Sequence, residues 1–376
     1  MLRTLTPLLL AALALAQEAK IVYPIPSPSD FSLSKNVVYG KWSGGELLMD
    51  IYHPTKIAET ARLPVVIFLN TFGIPRREDE MYTGWAKIAA AHGFAAINAD
   101  SHSGGIEQDF DLLLAYLADH AANLHIDANQ VAVHAVSGNV SLAFPLVENP
   151  KRTAVKAAVM YYGIGDVSDF RSDLPVLLVR AGLDRPTLNQ SIGTFTADAL
   201  ARNVPLTLLN YPAGHHGFDL RDDNNATREV IEQTFLFLKS KLTPQYQAAL
   251  HAGIPEATAA AAVLTGDFAR AATLYAQLVA ANPRDPSLVL SYGEALLGAA
   301  RYKEARVQFD HLKTLGGVGP RDLGVPAAKA CALDGDSEAA IAWLRRIPKQ
   351  FLPPTLKTDS AFRTLQDRAD FQTLFQ

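Results

Sequence analysis

Residues 130–147 read QVAVHAVSGNVSLAFPLV, and the character of the sequence changes in the middle of this stretch. Gln130–His134 has the β-branched content of a strand, Ser137–Asn139 is a short polar turn, and Val140–Val147 is expected to be a helix. A strand that passes through a tight turn into a helix is the repeating unit of α/β proteins, so this stretch predicts the fold class.

The same alternation continues on both sides, from about residue 20 to residue 242. Residues 63–69 (LPVVIFL) form a continuous apolar run, which is typical of a strand buried on both faces of a parallel sheet. Nearer the N-terminus, Val37–Tyr39 and Leu47–Tyr52 are predicted to pair antiparallel across a turn at Gly44–Gly45. Further strands are predicted at Phe94–Asn98, Ala154–Tyr161, Val176–Arg180 and Leu206–Tyr211, and helices at Met81–His92, Glu107–Leu124, Thr194–Arg202 and Thr227–Lys241. The pattern predicts a mostly parallel sheet with helices on both faces.

From about residue 244 the sequence becomes Ala-rich and repetitive. Ala271 and Ala305 lie 34 residues apart, and Ala340 follows after 35 more. Small residues there would let paired helices approach closely, while large residues four positions later fill the groove: Tyr275, Phe309 and Leu344. Pro283 and Pro320 are expected to end helices. The period resembles tetratricopeptide repeats and predicts an all-α domain over 244–376, with a groove for a protein or peptide partner.

Composition narrows the functional classes. The 376 residues are too many for one average domain, and 49% hydrophobic residues can bury a sizeable core. A net charge of −4 without a basic run argues against binding to nucleic acid. The single cysteine, Cys331, excludes an intramolecular disulfide and a cysteine-based metal cluster.

The N-terminus has the pattern of a signal peptide. Arg3 precedes a short apolar stretch, Leu8–Ala16, and Ala14–Ala16 is a small-x-small cleavage site. The stretch is about half of the ~20 residues that a membrane span needs. Residues 1–16 are therefore predicted to be removed, giving a secreted or periplasmic protein without stable membrane insertion and a first domain over 17–243.

Polar groups follow several of the predicted strands, at the edge of a parallel sheet where functional groups gather. Ser137, Asp184 and His216 each come just after a different strand, in the chain order of the α/β-hydrolase triad. Asn70–Gly73 follows the strand at 63–69. The joint placement predicts a hydrolase site, whereas Ser137 alone would equally suit a helix N-cap without chemistry.

The segment from about residue 38 to 242 resembles the dienelactone-hydrolase-like and small-esterase branch of the α/β hydrolases. The stretches that carry the resemblance are LMDIYHP at 48–54, GFAAINAD at 93–100, YYG at 161–163, PVLLVRAGLDR at 175–185 and YPAGHHGF at 211–218, together with Asn70–Gly73. The resemblance implies a nucleophile at Ser137, a base at His216 and an orienting carboxylate at Asp184. It also implies an oxyanion hole from the backbone N–H groups of Gly138 and Thr71, without a metal or an organic cofactor.

The sequence departs from this family at the nucleophile turn. The usual G-x-S-x-G has Ala135 and Asn139 in place of the two glycines, and Asn139 is expected to tolerate a positive φ or to bring its amide near the oxyanion. Asn70 stands where dienelactone hydrolases often carry Glu, which argues against that substrate chemistry. Further candidates for the pocket lining are Phe72, His102, which is equally compatible with a solvated loop, and His215, which would otherwise pack against a loop.

Two functional hypotheses follow. In the first, the chain is an exported esterase that acts through an acyl-enzyme. In the second, the hydrolase domain has lost activity, and the repeats bind a peptide or protein partner. A peptidase of the same fold is a further enzyme alternative. The unexpected His134 on a buried strand does not decide between them, and the absence of an H-E-x-x-H pattern argues against a metal site.

Overall fold

The computed structural model describes residues 20–58, 60–70, 76–167 and 169–376. The predicted signal peptide lies outside these ranges, and so do Thr71 and Phe72. Eight strands of the described chain form one sheet: β1 (Phe31–Trp42), β2 (Gly45–Pro54), β3 (Leu63–Phe68), β4 (Ala95–Ala99), β5 (Ile126–Val136), β6 (Val155–Tyr161), β7 (Val176–Ala181) and β8 (Leu206–Tyr211).

The strand order is β1-β2-β4-β3-β5-β6-β7-β8. Strand β2 is antiparallel to β1 and β4, and the other neighbouring strands run parallel. The mostly parallel sheet predicted from the apolar runs is therefore confirmed. Because parallel strands end at the same edge, the segments that follow β3, β5, β7 and β8 all leave the sheet on one side.

Helices cover both faces of the sheet: α1 (Glu80–Ala91), α2 (Ile106–Asp119), α3 (Asn139–Val147), α4 (Pro186–Ala201), α5 (Phe218–Arg221) and α6 (Asn225–Lys241). Strand β3 shows the reason, since its successive side chains enter two different cores. Val65 and Ile67 pack in the core that contains residues of α2, α3 and α4. Val66 and Phe68 pack in the core that contains residues of α1 and α6. A strand buried on both faces needs the continuous apolar run that its sequence has.

The C-terminal part is helical, with α7 (Pro244–Leu264), α8 (Phe268–Ala281), α9 (Pro286–Gly298), α10 (Tyr302–Leu315), α11 (Pro320–Leu333), α12 (Ser337–Leu344) and α13 (Ala369–Gln372). The small and large residues of the predicted repeats are all buried in its core: Ala271, Ala305, Ala340, Tyr275, Phe309 and Leu344. Pro283 follows the end of α8 as expected. Pro320 does not end a helix but begins α11, where the missing N–H of proline costs no hydrogen bond.

The chain divides into two compact units. One extends to His251, apart from Ala201–Asn203, and the other contains Ala252–Gln376. The predicted boundary at 243/244 coincides with the start of α7 and stays a prediction. Among the described residues, none of the helices combines the length and the apolar character that crossing a membrane requires.

Several elements begin earlier than the sequence predicted. Helix α4 starts at Pro186 rather than at Thr194, because proline fits the first position of a helix. Strand β1 starts at Phe31, and its first half is mostly exposed, so no apolar pattern marked it. Strand β5 starts at Ile126, and the one-turn helix α5 was not predicted.

Candidate active site

Ser137 occupies a sharp turn between β5 and α3. Its φ of 53° lies in the left-handed region, which is unusual for a residue other than glycine. Its N–H donates to the carbonyl of Tyr161 at 2.9 Å, and its own carbonyl accepts from Val140 N at 3.0 Å. The strained backbone is thus held by β6 on one side and by the first turn of α3 on the other. Strain of this kind is characteristic of functional sites.

Gly163 allows this close approach of the turn and the end of β6. A Cβ at position 163 would lie 2.5 Å from the carbonyl oxygen of Ser137 and 2.8 Å from Val140 Cβ. Both distances are shorter than a real Cβ contact. The YYG sequence after β6 therefore has a direct structural role beside the serine.

The structure brings the three predicted chemical residues together. Ser137 Oγ lies 2.7 Å from His216 Nε2, and His216 Nδ1 lies 2.6 Å from Asp184 Oδ2. The other carboxylate oxygen of Asp184 accepts the backbone N–H of Arg185 at 2.7 Å. The Asp184 side chain is almost completely buried, whereas a third of the His216 side chain is exposed. The carboxylate can fix the imidazole tautomer, which leaves Nε2 free to accept the serine proton.

The loops that carry Asp184 and His216 lie close together because Gly182, between them, has no side chain. A Cβ on Gly182 would lie 2.2 Å from the carbonyl oxygen of Pro212. Two backbone hydrogen bonds join the loops, from Gly182 N to Tyr211 O at 2.8 Å and from Leu183 N to Gly214 O at 2.9 Å. The acid and the histidine are thus carried by one continuous, hydrogen-bonded pair of loops at the edge of the sheet.

The residues around the predicted oxyanion hole differ in their position and in their hydrogen bonds. Gly138 is the N-cap residue of α3, next to N–H groups that a first helical turn leaves without an intrahelical acceptor. Asn139 is helical and buried, and its Nδ2 donates to Tyr82 Oη at 2.8 Å. Its amide nitrogen is therefore engaged in the core, and the residue with a positive φ at this turn is Ser137. Asn70 is fully buried just after β3.

The two other candidate histidines pair with carboxylates other than Asp184. The N–H of His215 donates to Asp222 Oδ2 at 2.9 Å, and its ring Nδ1 lies 3.0 Å from Asp222 Oδ1. His102 Nδ1 lies 2.8 Å from Asp109 Oδ2, and its ring stacks on Trp42 with centroids 4.6 Å apart. With residues 103–108 and Leu142, His102 lines a cavity of about 490 Å³.

His134 is a neutral member of the core. Its ring lies among Phe68, Trp85 and Tyr161, with centroids 5.2, 4.4 and 5.1 Å away. Burial lowers the pKa of His134 to about 3, since no water stabilises the imidazolium. Its place in an aromatic cluster explains why a histidine is tolerated on this strand.

In the part of the chain that the structure describes, no His, Cys, Asp and Glu side chains converge as a metal site. Cys331 is buried in the helical unit, and burial raises the pKa of its thiol to about 11.

Sequence reasoning missed two residues near the hydrogen bonds that join Ser137, His216 and Asp184. The ring of Tyr162 lies against His216, with centroids 4.8 Å apart, and its hydroxyl donates to Asp219 Oδ1 at 2.6 Å. Asp219 is completely buried, although it lies only three residues after His216. That short spacing was the one signal in the sequence that could have identified it.

Known proteins match parts of this chain. A tetratricopeptide repeat model matches residues 262–314, and no curated protein matches the chain in sequence. The strand order of the described sheet, with its antiparallel second strand, is that of the α/β-hydrolase fold.

Solved structures that match part of this chain include esterase 2 of the Planctomycetes species Thermogutta terrifontis with butyrate bound (18% identity, 55% of this chain and 94% of that one, TM-score 0.44). A bacterial heroin esterase also matches (16% identity, 58% of this chain and 86% of that one, TM-score 0.48). So does an α/β hydrolase from a Medee basin deep-sea metagenome library (17% identity, 57% of this chain and 99% of that one, TM-score 0.45).

Proposed function

We propose that the chain is a serine esterase that hydrolyses a carboxylic ester. The observation that carries the proposal is the continuous hydrogen-bonded path from Ser137 through His216 to Asp184, which begins at a strained strand-to-helix turn. A serine hydroxyl is a weak nucleophile until a base takes its proton. Here the base is in contact with the hydroxyl, and a buried carboxylate orients that base.

In the proposed reaction, His216 Nε2 takes the proton of Ser137 as Oγ attacks the ester carbonyl. Asp184 stabilises the imidazolium that forms, and the backbone N–H groups of Gly138 and Thr71 stabilise the oxyanion. His216 then gives its proton to the departing alcohol, which leaves an acyl group on Ser137. A water molecule, deprotonated by the same imidazole, hydrolyses the acyl-enzyme and restores the serine.

The finer assignments are also part of this proposal. The sequence resemblance supports the dienelactone-hydrolase-like and small-esterase branch. The Leu/Ala stretch and the small-x-small site before Gln17 support export to a secreted or periplasmic location. The repeat match at 262–314 supports a protein or peptide partner for the helical unit.

Turnover of short p-nitrophenyl esters tests the esterase activity. Replacing Ser137 by alanine removes the nucleophile and is expected to reduce kcat/KM by at least about 10⁴-fold. Ser191→Ala is the matched control and should leave turnover unchanged, because among the described residues this exposed hydroxyl bonds only within α4, to Thr187 O at 3.0 Å. The alternative, an inactive hydrolase unit that serves repeat-mediated binding, predicts no turnover by the unaltered protein.

A further inference from the structure

The burial of Asp219 carries a large free-energy cost. Its side chain is completely buried, where an ionised carboxylate loses its hydration. Two neutral donors satisfy it: Tyr162 Oη at 2.6 Å and Trp85 Nε1 at 3.1 Å. The hydrolytic steps above do not use this group, so its position beside the site needs an explanation.

Tyr162 connects this carboxylate with the catalytic base. It follows β6 directly, has a positive φ of 37°, and is 98% buried. Its N–H donates to Val179 O at 2.7 Å, which ties it to β7. Its ring lies 4.8 Å from the His216 ring between centroids, at an interplanar angle of 58°. The side chain therefore supports one side of the imidazole while its hydroxyl is held by Asp219.

The charges of these groups complement each other. Burial raises the pKa of Tyr162 well above its usual value, so the phenol keeps its proton and donates it in the hydrogen bond to the carboxylate. Burial also raises the pKa of Asp219, while the donors Tyr162 and Trp85 and the charge of His216 oppose that shift. The other titratable groups that face the carboxylate, Tyr82 and Tyr161, are neutral phenols. Among the groups that face Asp219, His216 is the one whose positive charge favours the ionised carboxylate.

We propose that Asp219 is a positioning residue of the active site: it holds Tyr162 against His216, and its charge supplements that of Asp184 when the imidazolium forms. This inference rests on the proposed esterase function. Asp219 then has two roles. One is the hydrogen bond that holds the Tyr162 hydroxyl, and the other is the negative charge near the imidazolium. Two substitutions separate them.

Asp219→Asn keeps the shape and one oxygen acceptor for Tyr162 but removes the charge. Because the imidazolium then loses a negative neighbour, the acid limb of the pH profile of kcat/KM is expected to move to lower pH by roughly half a unit or more. On the plateau, kcat should fall roughly tenfold. Tyr162→Phe keeps the ring and the charge, so it should lower kcat with an unchanged KM and no movement of the limb to lower pH.

Asp222→Asn is the matched control. This carboxylate belongs to the same segment but contacts His215, so its variant should keep the wild-type rate and profile. An Asp219→Asn enzyme whose acid limb stays in place refutes the charge role, whatever its rate. If that variant does not fold, by circular dichroism of the full chain, Tyr162→Phe decides: an unchanged kcat overturns the proposal.

A failure of the proposed role of Asp219 can be told apart from a failure of the proposed esterase function. Wild-type protein that hydrolyses no ester and takes up no fluorophosphonate refutes the esterase itself. Wild-type protein that does both, while Asp219→Asn keeps its pH profile and Tyr162→Phe keeps its kcat, refutes only the role of Asp219.

Discussion

Ser137, Asp184 and His216 were predictable because each lies a few residues beyond a strand whose apolar run is visible in the sequence. Tyr162 and Asp219 were not, because their importance comes from a contact between residues 57 positions apart. The same holds for Asn139, whose amide bonds to Tyr82 across 57 positions. At the scale of the residue, sequence reasoning finds groups that act at predictable positions and misses those that act by packing against them.

Glu148 gives a residue-scale prediction about stability. It is buried, its Oε2 accepts Arg171 N at 2.6 Å, and its Oε1 has no partner among the described residues. Burial raises the pKa of Glu148 to about 7, with Asp169 and Asp173 adding to the shift and Arg171 opposing it. Between its ordinary pKa near 4.3 and about 7, the folded protein holds a proton that the unfolded chain has released. The free energy of unfolding therefore decreases as the pH rises through this window.

Glu148→Gln removes this titration. The variant is expected to exceed the wild type in the free energy of unfolding at pH 8, by up to about 3 kcal/mol, and to lose that advantage at pH 4. Urea unfolding at the two pH values measures the difference. Glu46→Gln, at a carboxylate that is 52% exposed, is the control and should change both values little. An equal effect of Glu148→Gln at both pH values would contradict the account.

Among the strands and helices, the central strands were predicted well. The close backbone contacts between the ends of these strands were not predicted. Strands such as β3 are recognisable because both faces are buried, whereas the exposed first half of β1 carries no such pattern. Strand periodicity also does not reveal that Gly163 brings the ends of β5 and β6 together and that Gly182 does the same for β7 and β8. The site thus depends on backbone contacts at loops, for which a single sequence offers little signal beyond the glycine itself.

Gly163→Ala tests this view of the elements. The added methyl group must displace either the Ser137 carbonyl or α3, and a misplacement of about 1 Å at a catalytic group can cost up to about 100-fold in rate. We expect a loss of that order in kcat/KM for p-nitrophenyl esters. The control is Gly193→Ala in α4, where a Cβ meets nothing within 4 Å and helix propensity improves. Wild-type kinetics in Gly163→Ala would contradict this prediction, because the turn would then accommodate a Cβ at position 163.

At the scale of the whole molecule, the chain consists of two compact units with separate cores. The first turns of α7 belong to the unit that contains the sheet, because Gln247 Nε2 donates to Lys156 O at 3.2 Å and to Lys241 O at 3.0 Å. The change from β-branched to Ala-rich sequence near residue 244 revealed the division. It could not reveal that α7 begins in one unit and ends in the other, because helical sequence is continuous there.

Residues 17–251 are accordingly expected to fold alone and to keep most of the esterase activity. Residues 17–243, which lack Gln247, should unfold at a lower temperature than 17–251. Thermal unfolding by circular dichroism and ester turnover measure the two properties. An insoluble or inactive 17–251 chain would show that the hydrolase unit depends on the repeats.

Covalent labelling by an activity-based probe shows whether Ser137 is a nucleophile activated by His216. The full chain is treated with a fluorophosphonate, digested, and searched by mass spectrometry for the modified peptide. Ser137 is expected to be the single phosphonylated serine, and its labelling is expected to be lost when His216 is replaced by alanine, since the hydroxyl then has no base. An unmodified Ser137 in folded protein, or labelling that persists without His216, would contradict this expectation.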